Sequence, residues 1–379
     1  MTEQLFVVMQ DIVYLIDCVS MEKKADISRL KCQLNTIYNF AKLNSLSALI
    51  AYAFEDALKY SDRDKSAIVA FEEEKNIAMR NMVLFELERN CLVDFLKKND
   101  IFHMILKGVH ISDLYPKPFM RQVADNDIWF DKSYENQVVS WFKDRGYTCK
   151  MNAPVHYEFT KEPVLNFEMH HTSLFSKSGY DVFYEYYNEK LQSLVLNSKD
   201  FQLNFSDEDF YVYIICHSYK HYTEAGTGFR TLVDLFFLNK KLSEKLNRDY
   251  IDSQLKKLGI YDFEQSLQEI CKAVFLKKSL DEKNKKMLLY ILNAGTYGDR
   301  VTNMSNKIKR VTGGKVNAFT KAKYILSRVF PKPEIIKERY GKIGIVLLPV
   351  FYLIRILQCI FKGFSKGLNE IRWILKAKQ

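Results

Sequence analysis

IFHMILKG (residues 101–108), YPKPFMRQVADNDIWF (115–130) and PVLNFEMHH (163–171) are three pieces of one stretch, and the reading of the whole chain turns on them. The first is an apolar run ending in a Lys-Gly turn, the pattern of a buried strand delivering a loop. The second sets Asp125 and Asp127 two residues apart, directly ahead of Ile128, Trp129 and Phe130. Side chains at i and i+2 of a strand share a face, about 7 Å apart along it, so both carboxylates point the same way. The third piece does the same for Glu168 and His170. Carboxylates gathered from two strands repel one another, and a fold that keeps them together generally holds a divalent cation there. The same repulsion predicts that Asp127→Asn leaves the fold at least as stable as before.

Around this stretch the chain is ordinary in composition. Its 379 residues suffice for two or three domains with a substantial core. At 47% hydrophobic and 27% charged, with only 14 Gly and 7 Pro, it has no room for long disordered linkers. The seven cysteines are scattered and form no CxxC pair. That pattern implies reduced thiols and a cytoplasmic protein, and it excludes a zinc or disulfide framework. The N-terminus carries Glu3 where an export signal needs basic residues, while Leu5, Val8, Met9, Ile12, Leu15 and Ile16 fall at helical spacing.

Residues 1–98 read as helical throughout. Ile27, Leu30, Leu34, Ile37 and Ala41 form one apolar stripe, and Met82, Phe85, Cys91, Leu92, Phe95 and Leu96 lie on a longer helix beginning near Asp64. Strands are expected only within roughly 101–185, interrupted by a helix over 134–145 that ends at Gly146. Strands with an intervening helix, bracketed by helices, describe an α+β fold: a small mixed-sheet core flanked by N-terminal and C-terminal helical domains. The expected divisions are 1–98 (helical), 99–200 (α+β core), 201–330 (helical) and 331–379 (basic amphipathic tail).

A strand, a glycine turn, an Asp-x-Asp pair leading into apolar residues and a later carboxylate strand resemble the superfamily of DNA polymerase beta and kanamycin nucleotidyltransferase. The ordered set Lys107-Gly108, Arg121, Asp125, Asp127 and FEMH (167–170) more closely resembles a bacterial family of uncharacterised nucleotidyltransferases. Two positions depart from the pattern: the turn is Lys-Gly where Gly-Gly or Gly-Ser is usual, and Asn126 stands where an aliphatic residue is usual, which predicts weaker packing on the strand's other face. The resemblance implies a metal-dependent enzyme moving a nucleoside monophosphate from a triphosphate such as ATP to a hydroxyl or phosphate acceptor, with release of pyrophosphate. It implies Mg²⁺ (or Mn²⁺) held by the catalytic Asp125, Asp127 and Glu168, with Lys107, Gly108 and Arg121 around the nucleotide. The rival class is a catalytically silent scaffold that keeps the fold and attaches through its tail.

A further helix is signalled by Ser206 ahead of Asp207, Glu208 and Asp209. It carries His217 and His221 at i and i+4, but HSYKH lacks the glutamate of a zinc protease helix. The resembling family has a similar H…KH…D helix. His170, His217, Lys220, His221, Arg230 and Asp234 therefore form a candidate substrate-facing set, against the plainer reading of a satisfied, partly buried helix. VTGGK (311–315) lacks the first glycine of a phosphate-binding loop. The last 49 residues, 331–379, hold ten Lys or Arg against three Glu, which is +7 of the chain's +10. Residues 343–354 are too short an apolar run to span a bilayer, which takes about 20 residues. Val350, Ile354, Leu357, Phe361, Phe364, Leu368, Ile371 and Leu375 form a stripe opposite Arg355, Lys362, Lys366 and Lys376. Such a helix packs on its own core, lies on an anionic membrane surface or docks on a protein partner through 343–376. The excess charge sits in this tail and away from the carboxylates, so sequence-specific nucleic-acid binding is not expected.

Overall fold

The structure is a computed structural model that describes residues 2–379 except 154–155, 178, 299, 331–332, 334–335, 337–345, 354–372 and 378–379. The chain divides into two compact units, Met1–Tyr219 with Gly228–Thr296, and Lys220–Thr227 with Tyr297–Gln379.

The first unit begins with helices α1 (Thr2–Ser20), α2 (Leu34–Leu43), α3 (Ser47–Ile50) and α4 (Asp62–Lys98). Ile12, Leu15 and Ile16 of α1 are fully buried, as their spacing requires. The stripe from Ile27 to Ala41 is not one helix: Ile27–Arg29 forms a single 3₁₀ turn and α2 starts only at Leu34. The reason is local. The buried carboxylate of Asp11 accepts from the backbone N–H groups of Lys31 and Cys32 at 2.8–3.1 Å, which draws those donors out of a helical ladder.

The alternation of strand and helix then follows: β1 (His103–Ile105), α5 (Lys107–Ser112), β2 (Asn126–Phe130), α6 (Glu135–Asp144), β3 (Thr148–Ala153), β4 (His156–Lys161) and β5 (Leu165–His170). The five strands make one mixed sheet in the order β1-β2-β5-β4-β3, with β2 and β5 parallel and the other pairs antiparallel. Among the described residues the last strand ends at His170, earlier than expected. The aromatic run that follows belongs to helix α7 (Asp181–Asn197), which buries Phe183, Tyr187 and Leu191 at four-residue spacing. Gly146, at φ +78°, closes α6 in the left-handed region that only glycine enters freely.

Pleating divides the sheet's two faces. Ile128 and Phe130, Phe167 and Met169, and Tyr157 and Phe159 face one core with Val138 and Phe142 of α6 and Phe85, Leu92 and Leu96 of α4. The Phe142 and Phe159 rings stack there at 3.9 Å. The intervening residues Asp127, Trp129, Glu168, His170, Glu158 and His156 must therefore share the other face. Helices α8 (Asp207–Glu224, as far as Tyr219), α9 (Arg230–Leu242), α10 (Arg248–Lys257), α11 (Tyr261–Leu276) and α12 (Glu282–Ala294) complete this unit. Ahead of α9, a Cβ on Gly228 would come within 2.4 Å of the Gly295 backbone, so that crossing requires a glycine.

The second unit contains α13 (Arg300–Thr312) and α14 (Ala318–Val329). Met304, Ile308 and Tyr324 form a small core there with Ile374 and Ala377, and the Arg300 guanidinium lies over the Trp373 ring at 4.9 Å. Of the tail stripe, Ile354, Leu357, Phe361, Phe364, Leu368 and Ile371 lie outside the described residues, as do Arg355, Lys362 and Lys366. No helix among the described residues is long and apolar enough to cross a membrane.

Candidate active site

Parallel pairing of β2 with β5 sets Asp127 beside Glu168 and Trp129 beside His170. Antiparallel pairing of β5 with β4 extends the rows, Glu158 opposite Glu168 and His156 opposite His170. One face of three strands thus carries an acidic row and, one step along, an aromatic and imidazole row. One oxygen each from Asp127 and Glu168 and one ring nitrogen of His170 lie within 4.8 Å of one another, close enough to be bridged by one cation.

Asp127 is the buried centre of this group. Its side chain has no exposure, its Oδ2 lies 3.0 Å from the Lys107 ammonium, and its Oδ1 lies 3.4 Å from His170 Nε2. Burial alone would raise its pKa, but Lys107 and His170 outweigh burial and hold the carboxyl well below its usual range. Glu168 responds the opposite way. Burial, and then the charges of Asp127 and Asp125, push it up to about 8. Burial raises Asp125 too, with Asp127 adding to the shift and Lys107, Arg121 and Arg230 opposing it. Lys107, in the first turn of α5, is lowered by burial but held above its usual value by the surrounding acids. Asp127 Oδ2 is buried and accepts no aligned hydrogen bond. Two carboxylates and an imidazole with ligand atoms within 4.8 Å of one another are the donor set a divalent ion takes, so the residues present fit a metal.

Asp125 enters from the loop ahead of β2 and lies outside the three-residue group. Its loop is tied from three sides. Arg121 donates through Nε and Nη2 to the two oxygens of Asp234 at 2.9 and 3.1 Å, and the Tyr115 hydroxyl donates to the same carboxylate at 2.6 Å. One turn earlier on α9, Arg230 donates to the Gln122 carbonyl at 2.9 Å, and the Gln122 side chain donates to Glu74 of α4 at 3.3 Å. Asn126, buried between the aspartates, accepts from Arg89 at 3.1 Å and donates to the Phe85 carbonyl at 3.3 Å. The polar side chain at this position therefore anchors the strand to α4 and does not loosen it.

Of the expected substrate-facing set, the structure places His170 among the acids and brings Arg230 and Asp234 to the loop that carries Asp125. The His217 ring lies 6.4 Å from that of Tyr213. Lys220 and His221 belong to the second unit. Tyr213 and Lys107 line a cavity of about 200 Å³ with His110, Phe205 and Phe210. Glu158 and His156 escaped the sequence reading, although HYEF repeats the i, i+2 spacing of FEMH and was the available signal.

The family model for uncharacterised nucleotidyltransferases matches residues 33–275, well over half of the chain, and spans every element of this site. The chain belongs to that family. No curated protein and no solved structure matches it. Membership gives the acidic strand pair a chemical setting, since nucleotidyltransferases typically use a divalent metal.

Proposed function

We propose that this chain is a metal-dependent nucleotidyltransferase that moves a nucleoside monophosphate from a nucleoside triphosphate to a hydroxyl or phosphate acceptor, releasing pyrophosphate. The observation that carries the reading is the registered pair Asp127 and Glu168 with His170 within 4.8 Å. A bound divalent cation would supply charge neutralisation of the triphosphate and activation of the acceptor oxygen. Asp127, Glu168 and His170 would hold it, with Asp125 completing the acidic edge.

This chain's own cations do the rest. Lys107 and Arg230 border the acids, where they offset triphosphate charge. Arg121 keeps the loop in place through Asp234 and adds its positive charge beside Asp125. A Cβ on Gly108 would meet only ordinary contacts at 3.7–3.8 Å. Neither packing nor backbone conformation demands glycine there, which supports a role in letting a phosphate approach the backbone. A cytoplasmic location, where nucleoside triphosphates are abundant, accords with this chemistry.

The test is a mass-spectrometric screen of the purified protein with each nucleoside triphosphate and Mg²⁺ or Mn²⁺ against metabolite and protein extracts. A product heavier by one nucleotide, with pyrophosphate released and both lost in Asp127→Asn, is the expected result. Absence of any nucleotide-bearing product across all triphosphates and both metals would refute the reading and favour the scaffold.

A further inference from the structure

Two of the three converging side chains offer carboxylate oxygen and the third offers imidazole nitrogen. Mg²⁺ is a hard ion that prefers an all-oxygen octahedron and keeps several waters. Imidazole is a donor for the first-row transition ions, whose affinity for mixed nitrogen and oxygen sites rises from Mn²⁺ towards Cu²⁺. The identity of the third donor therefore bears on which metal the site selects.

The position of His170 is fixed by the sheet. It follows Glu168 by two residues on β5, pairs across to Trp129 and His156, and is 7% exposed. If it merely neutralised Asp127, its ring nitrogen should lie at the 2.7–2.9 Å of a charge-assisted hydrogen bond. The observed separation is 3.4 Å, and Asp127 already has the Lys107 ammonium at 3.0 Å. The long contact, and ligand atoms of Asp127, Glu168 and His170 that all lie within 4.8 Å of one another, describe ligands spaced around a common point.

We infer that Asp127, Glu168 and His170 form a mixed carboxylate and imidazole centre that selects a first-row transition ion such as Mn²⁺ over Mg²⁺, with His170 as its nitrogen donor. The inference rests on the reading of this cluster as a cation site and goes beyond it to the ion chosen.

The experiment uses the full-length chain freed of metal by chelation, titrated with Mn²⁺ alone and then with Mg²⁺ in competition, and read by electron paramagnetic resonance. Pulsed spectra of bound Mn²⁺ should show coupling to a directly bound nitrogen. Growing the wild-type protein with ¹⁵N-histidine should change that coupling, a test that needs no variant to fold. Loss of groups that merely orient a ligand costs roughly 10–100-fold in metal affinity, so His170→Gln should cost Mn²⁺ binding at least about tenfold while Mg²⁺ binding changes far less. His156→Gln should keep the nitrogen signal.

Mn²⁺ bound without nitrogen coupling, equal loss of both ions in His170→Gln, or loss of the coupling in His156→Gln alone would each overturn the inference. Nitrogen-coordinated Mn²⁺ without nucleotide transfer would refute only the proposed reaction. Transfer with oxygen-only coordination would refute only the inference.

Discussion

Removing Asp234 tests whether the loop carrying Asp125 is held from a helix more than a hundred residues away. Its carboxylate accepts two donors from Arg121 and one from Tyr115, at 2.9, 3.1 and 2.6 Å, and Arg121 is 7% exposed. Taken singly, hydrogen bonds to a charged group contribute about 1.5–3 kcal/mol each. All three share one acceptor, however, so their sum overcounts. The governing quantity is the cost of stranding a buried guanidinium, about 3–5 kcal/mol when one member of a buried pair is deleted. Against a total stability of about 5–15 kcal/mol, Asp234→Leu should lower the thermal midpoint markedly. It should also speed hydrogen exchange across residues 118–126. Replacing both charges with apolar groups, Arg121→Met with Asp234→Leu, removes the stranded cation and should recover most of the loss. Thermal melts and exchange mass spectrometry of the two single variants and the double variant complete the cycle. A cost below about 1 kcal/mol for Asp234→Leu, or a double variant that loses the sum of the singles, would refute the reasoning.

The two central acids should respond to neutralisation with opposite signs. Glu168 is raised from 4.5 to about 8, so between those pH values the unfolded chain has released a proton that the folded one retains. Stability of the metal-free protein therefore falls as pH rises through that window, by up to about 3 kcal/mol at pH 7, and Glu168→Gln should be stabilising and flatten the profile. Asp127 is held below its usual range by Lys107 and His170 against burial, so its charge stabilises above the unfolded pKa. Asp127→Asn should then destabilise, contrary to the expectation from repulsion alone, and melts between pH 5 and 8 check both. Asn126→Leu should cost about 1–3 kcal/mol by leaving Arg89 and the Phe85 carbonyl without their partner, whereas a melt at or above wild type would contradict the anchoring role. Truncation after Pro331 removes Ile374 and Ala377 from the core they share with Ile308 and Tyr324. The shortened protein should aggregate by light scattering, and flotation of the full chain with anionic vesicles tests the alternative that the tail lies on a membrane.

Sequence spacing disclosed the acidic strand pair because a strand's period of two is rigid. Glu168 and His170 had to share a face, with Met169 between them turned to a core, whereas Asp125, which the same rule set beside Asp127, lies in the loop ahead of β2. Cross-strand register is a tertiary fact, so the same rule could not reveal that Glu158 stands opposite Glu168. Nor could it find Asp234 as the partner of Arg121, since no local pattern links a helix residue to a loop 113 positions earlier. Asn126 looked like a flaw in an apolar strand because its partners, Arg89 and the Phe85 carbonyl, lie on α4. The break before α2 was hidden for the same reason: Asp11, on another helix, takes the donors that would have extended it.

The supports of this cluster divide into rigid ones and a flexible one. The three donor side chains stand on paired strands, where register and a packed opposite face restrict their movement. Their opposing charge comes from Lys107, whose long, flexible side chain reaches in from a six-residue helix outside the sheet. Asp127 is thereby compensated, while Glu168 is left with a pKa high enough to hold a proton near neutral pH. On the proposed reading, Asp127, Glu168 and His170 would hold a divalent ion whose charge offsets the carboxylates, and Lys107 would then offset phosphate charge. With the acids and imidazole fixed by strand register and the counter-charge on a flexible side chain, a rearrangement of charge here falls to Lys107 and leaves the sheet register intact.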